Sequence, residues 1–344
     1  ISSGAAGTIV VQGGTVTGAN AILPVVLSYG SPSQFDAVDI AYNSIIFDSN
    51  SNRVVTTYSD NAAPYYGRAV VGTVSGTSIS WGTPVVFEAA DTGNTSCAFD
   101  SSNNKVVVSY RDAGNSSYGT GIVGTVSGTS ISFATPVVFD AGGFIDNISS
   151  TFDPVANKVV VAYRDGGNSD YGTAIVGTVS GTSISYGTAV VYESAGSRFN
   201  SIVFDSDSNK VVIAYKDAGN SGYGTAIVGT VSGTAISFGT AAVFASAESE
   251  QISTTFDSNS NKVVVAYRVD GVGWYGTAIV GTVSGTSISF GTAVTFAASS
   301  TTSLSATFDS NSNEVVISYK DAGNSNYGTG VVGTVSGTAI SFGT

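Results

Sequence analysis

The sequence has no histidine and a single cysteine, Cys97, among its 344 residues. Without histidine it lacks the usual general base of enzymes and the commonest protein ligand for metals. A Ser-His-Asp catalytic site is therefore excluded. One cysteine can form neither an intrachain disulfide nor a thiolate metal cluster. We expect Cys97 to be a small, buried, apolar side chain.

Charged residues are also scarce, at 10% of the chain against roughly 25% in ordinary globular domains. Lys and Arg total 12, Asp and Glu total 24, and the net charge is −12. Affinity for nucleic acids and for anionic membranes depends on basic side chains, so we expect neither as a partner. No apolar run approaches the ~18 residues of a membrane helix, and we expect no membrane insertion.

What the sequence does contain is a repeat of about fifty residues. A V-S-G-T motif and a Phe-Asp pair each recur at intervals of 52 or 53 residues. Regular self-similarity at this length is typical of propellers, solenoids and domain arrays. The six Phe-Asp pairs are Phe47-Asp48, Phe99-Asp100, Phe152-Asp153, Phe204-Asp205, Phe256-Asp257 and Phe308-Asp309.

Each repeat predicts four antiparallel strands. In the third repeat these are Ile148–Phe152, Lys158–Tyr163, Thr173–Val179 and Ser183–Tyr192, the last kinked at Gly187, with turn residues between them. Four strands with short hairpins and no helical period match the blade of a β-propeller. A β-solenoid would have shorter coils and parallel strands. Links of four to eight residues leave no room for separate small β-domains.

We therefore predict an all-β chain forming one domain over 1–344, with repeats beginning near 38, 92, 145, 197, 249 and 301. Residues 1–37 read as half a repeat, because Gly14–Gly18 echoes G-T-V-S-G and Pro24–Leu27 echoes Pro84–Phe87. A propeller must close its ring or leave an unpaired edge. We predict a six-bladed β-propeller of four-stranded blades, whose ring the Pro24–Leu27 strand closes. A seventh, partial blade built on the N-terminal hairpin is the alternative.

Sequence variation concentrates on the rim formed by the second-to-third turns and the links between blades. Four of these turns carry Y-[RK]-D-[AG]-G-N-S-x-Y-G, as in Tyr163–Gly172. The motif resembles the Asp-box turn of sialidase-type (BNR) propellers, roughly S-x-D-x-G-x-x-W, with Tyr in place of Trp and one extra residue. The resemblance implies a structural role for its Asp and Gly. The corresponding residues here are Asp112, Gly114, Asp165, Gly167, Asp217, Gly219, Asp321 and Gly323.

The same rim holds the candidate ligand-binding residues. Repeated cations stand near tyrosines, and tyrosine faces and guanidinium forks suit sugars and carboxylates. The links add large or charged residues on a rigid scaffold, where binding sites often lie. Alternatively, each cation pairs with the Asp beside it or with a neighbouring blade, and the aromatic residues simply pack. The candidates are Arg111, Tyr118, Arg164, Tyr171, Lys216, Tyr223, Arg268, Trp274, Lys320 and Tyr327 in the turns, and Phe144, Arg198 and Phe199 in loops.

We expect neither a cofactor nor catalysis. Runs such as Asp205–Asn209 could offer oxygen ligands to Ca²⁺, but they lack the glycine and glutamate of an EF-hand loop, and a plain turn is favoured. Glycosidases need a pair of carboxylates at a set separation. The predicted inner strands carry none, although Asp146 and Glu250 stand just upstream.

The V-V-V-A-Y-x-D-x-G-N-x-x-Y-G-T segments also resemble repeat regions of bacterial and phage surface proteins. This resemblance implies a non-enzymatic structural or adhesion module that is extracellular, on a cell surface or on a virion. Its partners would be a surface glycan, a host receptor or other subunits of a larger assembly. The alternatives are a multivalent lectin with one site per blade and a degenerate glycoside hydrolase. Because the chain begins at Ile1 rather than methionine, we expect a processed or trimmed product.

Overall fold

The computed structural model describes residues 29–62, 64–271 and 273–343. These residues form twenty-five β-strands and four single-turn 3-10 helices. None of the described helices has the length and apolarity needed to cross a lipid bilayer. The all-β prediction is confirmed.

The strands group into six antiparallel sheets, blades 1 to 6, each with an inner, a second, a third and an interrupted fourth strand. Blade 1 contains β1 (Ile40–Asp48), β2 (Arg53–Asp60), β3 (Tyr66–Ser75), β4 (Ser78–Trp81) and the first half of β5 (Val85–Asp100). Blade 2 contains the rest of β5, β6 (Lys105–Asp112), β7 (Tyr118–Ser127), β8 (Ser130–Phe133) and β9 (Val137–Asp140). Blade 3 contains β10 (Ile145–Asp153), β11 (Lys158–Asp165), β12 (Tyr171–Ser180), β13 (Ser183–Tyr186) and the first half of β14 (Val190–Asp205).

The remaining blades repeat this plan. Blade 4 contains the rest of β14, β15 (Lys210–Asp217), β16 (Tyr223–Ser232), β17 (Ala235–Phe238) and the first half of β18 (Ala242–Asp257). Blade 5 contains the rest of β18, β19 (Lys262–Val269), β20 (Tyr275–Ser284), β21 (Ser287–Phe290) and the first half of β22 (Val294–Asp309). Blade 6 contains the rest of β22, β23 (Glu314–Asp321), β24 (Tyr327–Ser336) and β25 (Ala339–Phe342).

The second strand of each blade is buried on both faces. In blade 3, the run from Val159 to Tyr163 has no exposed surface, because the sheet packs against a neighbouring blade on either side. This explains a continuous apolar run where a one-sided sheet would alternate. The turns that flank it contain left-handed residues, Asn157 (φ 53°) before the strand and Ser169 (φ 58°) after it.

Aromatic residues hold successive blades together. Tyr192, on the fourth strand of blade 3, lies with its ring centroid 5.2 Å from that of Tyr215 and 5.7 Å from that of Phe238, both in blade 4. The same three-ring contact recurs at the other described interfaces. It is built from Phe87 with Tyr110 and Phe133, Phe139 with Tyr163 and Tyr186, Phe244 with Tyr267 and Phe290, and Phe296 with Tyr319 and Phe342.

A chain of hydrogen bonds also joins the inner strands. Ser201 Oγ in blade 4 accepts a hydrogen bond from the backbone N–H of Thr254 in blade 5, at 2.9 Å. Cys97, only 5% exposed, takes part in the same scheme, since its N–H donates to Ser44 Oγ at 3.1 Å. The other bonds run from Ser150 N to Ser96 Oγ, Ile202 N to Ser149 Oγ, and Ala306 N to Ser253 Oγ.

The segment that precedes β1, from Tyr29 onward, makes with blade 1 the contacts that the fourth strand of one blade makes with the next blade. Gly30 lies against the carbonyl of Thr77, as Gly82 lies against that of Thr129. The Phe35 ring is 5.2 Å from those of Tyr58 and Trp81, which matches Phe87 in the next blade. The equivalent of Pro84 is thus Pro32 rather than Pro24, and the predicted closing strand Pro24–Leu27 lies outside the described residues.

Tyr29 reaches the other end of the ring. It lines one pocket with Ser303, Tyr319 and Thr329 of blade 6, so the segment that begins at Tyr29 lies between blade 6 and blade 1. The six antiparallel blades and their interfaces define a β-propeller, as the repeat predicted.

Candidate functional site

The predicted binding rim is built on capped turns. The Asp112 side chain accepts a hydrogen bond of 3.0 Å from Asn115 N and closes a 3-10 turn over Ala113–Asn115. Gly114 lets the link before blade 2 approach, because a Cβ there would lie 2.3 Å from the Ala90 Cβ. Asp165, Asp217 and Asp321 cap the other three turns. These aspartates hold the turns and do not pair with the cations beside them.

The backbone of each cation instead pairs with the inner strand of its own blade. In the antiparallel register it lies opposite a residue eighteen positions earlier in the chain. Just after that residue the inner strand bulges at a left-handed residue, such as Asn147 (φ 49°) or Gln251 (φ 51°). The opposed pairs are Gly93 and Arg111, Asp146 and Arg164, Arg198 and Lys216, Glu250 and Arg268, and Thr302 and Lys320.

In blade 3 the opposed pair is a bidentate ion pair. Arg164 Nε and Nη2 donate to the two carboxylate oxygens of Asp146, at 2.6 and 2.8 Å. Asp170, in the turn, lies 3.4 Å from Arg164 Nη1, and the Asn147 amide donates to Asp146 at 2.7 Å. Planar guanidinium and carboxylate groups make their strongest hydrogen bonds in this geometry.

At the junction of blades 4 and 5, one carboxylate serves two cations. Glu250 accepts a hydrogen bond from Lys216 Nζ at 2.9 Å and another from Arg268, while Lys216 also contacts Glu248. The Arg268 guanidinium lies over the Trp274 indole, 4.5 Å from the ring centroid. Burial pushes the pKa of Glu250 up, but the hydrogen bonds from Arg268 and Lys216 outweigh it and leave that pKa below its ordinary value.

Arg111, between blades 2 and 3, has a different environment. Its guanidinium lies over the Phe144 ring, 4.9 Å from the centroid, and the Arg164 guanidinium lies 5.9 Å from the same centroid. Within the described residues Arg111 forms no ion pair, and its Nε is buried without a hydrogen-bond acceptor. This site therefore holds a cation that no described residue compensates.

The other predicted residues are more dispersed. Lys320 and Tyr327 are exposed on blade 6, and Arg198 is exposed on the inner strand of blade 4. Phe199 was expected in a loop but lies in β14, at the left-handed bulge position (φ 52°). Tyr118, Tyr171 and Tyr223 are half-buried and begin the third strands of blades 2, 3 and 4.

The structure adds a feature that the sequence analysis missed, a buried acidic pair below the rim. The Tyr110 hydroxyl donates to Glu88 Oε2 at 3.0 Å, and Asp112 stands close to the same glutamate. Burial and the charge of Glu88 raise the pKa of Asp112 above its ordinary value. The equivalent Tyr215 donates to Glu193 at 3.0 Å.

The opposite rim shows only turn chemistry. Asp205 Oδ1 accepts hydrogen bonds from the backbone N–H groups of Asp207 and Ser208, at 3.0 and 3.1 Å. The aspartates that were considered as Ca²⁺ ligands therefore cap their own turns. Across the described part of the chain, no cluster of three or more acidic, Cys or His side chains could hold a metal ion.

The comparisons with known proteins support the propeller fold. No protein-family model matches the chain, and the search of curated proteins gave no match. BP39L lectin from Burkholderia pseudomallei is similar in structure, with a TM-score of 0.60 and 11% identity over 88% of this chain and 82% of that one. AofleA from Arthrobotrys oligospora gives 0.53 and 9% identity, over 88% of both chains.

A variant of AofleA with three arginines, spaced 53 residues apart, replaced by alanine gives a TM-score of 0.55 and 10% identity, over 88% of this chain and 89% of that one. At such identities the likeness concerns the fold alone. The chain is thus a six-bladed β-propeller whose fold is shared with a lectin. The Asp-box resemblance is supported for the propeller architecture alone. These matches give no support to the expected phage or virion origin.

Proposed function

We propose that the protein is a non-catalytic lectin that binds glycans at several sites on the rim formed by the second-to-third turns. The arrangement around Arg268 carries this proposal. A guanidinium, an indole and a carboxylate meet there, in Arg268, Trp274 and Glu250. Sugars are bound by this combination, because their hydroxyls need fixed donors and acceptors and their apolar faces pack on aromatic rings.

The repeat makes the sites multiple without making them identical. Arg111, Arg164 and Arg268 all lie within 6 Å of an aromatic centroid, 4.9, 5.9 and 4.5 Å respectively. Arg111 and Arg164 are 53 residues apart, the spacing of the arginines replaced in the AofleA variant. Several weak sites on one rigid body raise the avidity for a surface that presents many glycans. We place such a binder outside the cell.

The test is a glycan array followed by titration calorimetry with the bound sugars. Trp274→Ala removes the exposed part of the Arg268 site and should weaken binding there by about tenfold or more. Lys158→Gln and Lys262→Gln are matched controls, because both lysines lie on the opposite rim and bond only to a neighbouring backbone carbonyl. They should leave binding unchanged.

Two results would count against the proposal. If no glycan binds to the folded protein, the structural or adhesion module becomes the better explanation. If Trp274→Ala and the lysine controls affect glycan binding equally, the rim that carries Trp274 is not the binding surface. Thermal unfolding of each variant establishes that a lost signal reflects lost binding.

A further inference from the structure

The repeats provide an internal comparison of one position in the inner strand. Opposite Arg164 and Arg268, this position holds a carboxylate, in Asp146 and Glu250, and each arginine hydrogen-bonds to it. Opposite Arg111 it holds Gly93, which has no side chain. Blade 2 therefore has the cation but lacks the acid that neutralises it in blades 3 and 5.

Arg111 fills part of the space that this glycine leaves. A Cβ on Gly93 would lie 2.6 Å from Arg111 Nη2 and 3.0 Å from Cζ, so the guanidinium rests on the Gly93 backbone. Phe144 covers it from the side of blade 3, at 4.9 Å. The guanidinium lies between backbone and ring, while Nη1 and Nη2 have no acceptor among the described residues and are not sealed from solvent.

This arrangement favours an anion. A partly buried guanidinium with a buried, unpartnered Nε carries an uncompensated desolvation cost. In the neighbouring blade, Asp146 already accepts hydrogen bonds from Arg164 Nε and Nη2. A ligand carboxylate that pairs with the free Nη groups of Arg111 would compensate the guanidinium charge, and a bidentate fork suits it in geometry.

Two further features of the protein favour a sugar as the molecule that carries the carboxylate. The net charge of −12 repels every anion at long range, so a carboxylate held by the guanidinium alone gains little and a bound anion needs a further contact. Phe144 is 39% exposed beside the guanidinium and offers an apolar surface to a sugar ring. We propose that the Arg111 site, defined by Arg111, Phe144 and Gly93, binds an acidic sugar through its carboxylate. This inference rests on the lectin function proposed above.

The chain offers its own test, because Gly93→Asp would give blade 2 the acid that blade 3 has. The atom it would displace is the far end of a flexible arginine, so Arg111 can move to pair with the new carboxylate as Arg164 pairs with Asp146. Gly93→Asn has the same size without the charge and is the matched control. Arg111→Gln removes the charge directly.

Binding is measured by calorimetry with N-acetylneuraminic acid, glucuronic acid, methyl galactoside and sodium acetate. We expect at least one acidic sugar to bind the wild type and the Gly93→Asn variant. Its affinity should fall about 10- to 100-fold in Gly93→Asp and in Arg111→Gln. Neutral-sugar binding at the Arg268 site should stay unchanged in all variants. Comparing the two acids identifies which class of carboxylated sugar the site takes.

Each contrary result has its own meaning. Neutral sugars that bind while neither acid binds at Arg111 would overturn this inference and leave the lectin function standing. Acetate binding as tightly as the acidic sugars would overturn the assignment to a sugar. Equal losses in Gly93→Asp and Gly93→Asn would show that space, not charge, governs the site. If no sugar of either kind binds, the lectin function itself fails.

Discussion

The hydroxyl of Tyr215 donates a hydrogen bond of 3.0 Å to Glu193, and the two residues belong to adjacent blades. Tyr215 lies on the buried second strand of blade 4, whereas Glu193 lies on the fourth-strand half of β14, in blade 3. Tyr110 and Glu88 repeat this bond between blades 1 and 2, as do Tyr58 and Asp36 at the N-terminal segment. Tyr267 stands in the equivalent place in blade 5, but Ala245 replaces the acid.

Tyr215→Phe should destabilise the protein by about 1 to 3 kcal/mol, because it removes a hydroxyl that donates to the half-buried, charged Glu193 carboxylate. The loss would appear as a lower midpoint of unfolding in urea. Tyr267→Phe is the control, since its hydroxyl faces Ala245 and donates to no carboxylate among the described residues; we expect its midpoint to stay close to that of the wild type. Equal losses in the two variants would contradict the role assigned to the Tyr215–Glu193 bond.

The free energy of unfolding should fall as the pH rises through the range just above the ordinary carboxyl pKa of about 4. Burial, reinforced by a second carboxylate nearby, raises the pKa of Asp112, Asp165 and Glu193 in the folded protein. A raised carboxyl pKa means that the folded chain binds more protons than the unfolded chain in this window, so losing those protons costs stability. The thermal midpoint measured across this range provides the check.

Glu193→Gln should reduce this slope and raise the thermal midpoint at neutral pH, because it removes one of the charges that burial penalises. Glu250 has the opposite effect on the free energy of unfolding, because its pKa is lowered in the folded protein. Its stabilising contribution is lost only as the pH falls below the ordinary carboxyl range. A thermal midpoint that rises with pH in the range just above about 4 would contradict the assigned burial.

Cys97 should resist thiol reagents in the native protein. It is 5% exposed, and burial raises the pKa of its thiol to about 11, while hydrogen bonds from Ser44 and Thr57 oppose the rise only in part. Since the thiolate is the reactive form, labelling with a disulfide reagent should be slow in the native state and fast in denaturant. Rapid labelling without unfolding would show that blades 1 and 2 separate at their inner strands.

The repeat predicted the blades because each local signal agreed with the global fold. The same interval of 52 or 53 residues separates the Asp-rich turns, the V-S-G-T turns and the second strands, such as Val159–Tyr163. Each lies in the structure where the pattern indicated. The N-terminal register was harder. Phe35 and Asp36 lie 52 residues before Phe87 and Glu88, but the residues that follow Pro24 are more similar to those that follow Pro84. The contact between the Phe35 and Tyr58 rings shows that the 52-residue spacing aligns the N-terminal segment with the later blades.

The charged sites were predicted only in part. The cations were found by their repetition, but their partners were not, because the same position holds a carboxylate in Asp146 and Glu250 and no side chain in Gly93. The constant offset of eighteen residues across the first hairpin would have identified that position. No sequence signal indicates that Lys216 contacts both Glu248, in the fourth strand of its own blade, and Glu250 in blade 5, since the second contact depends on packing between blades.

The serine bonds between inner strands have a consequence for how such a chain can change its length. Every unit from blade 2 to blade 5 brings both a hydroxyl that accepts from the following unit and an N–H that donates to the preceding one. An in-frame gene duplication or deletion of one such unit would therefore leave the bonding scheme intact at the new junction. The number of blades is then limited by the angle at which neighbouring blades meet. Evolution can change that number without forming a new type of interface.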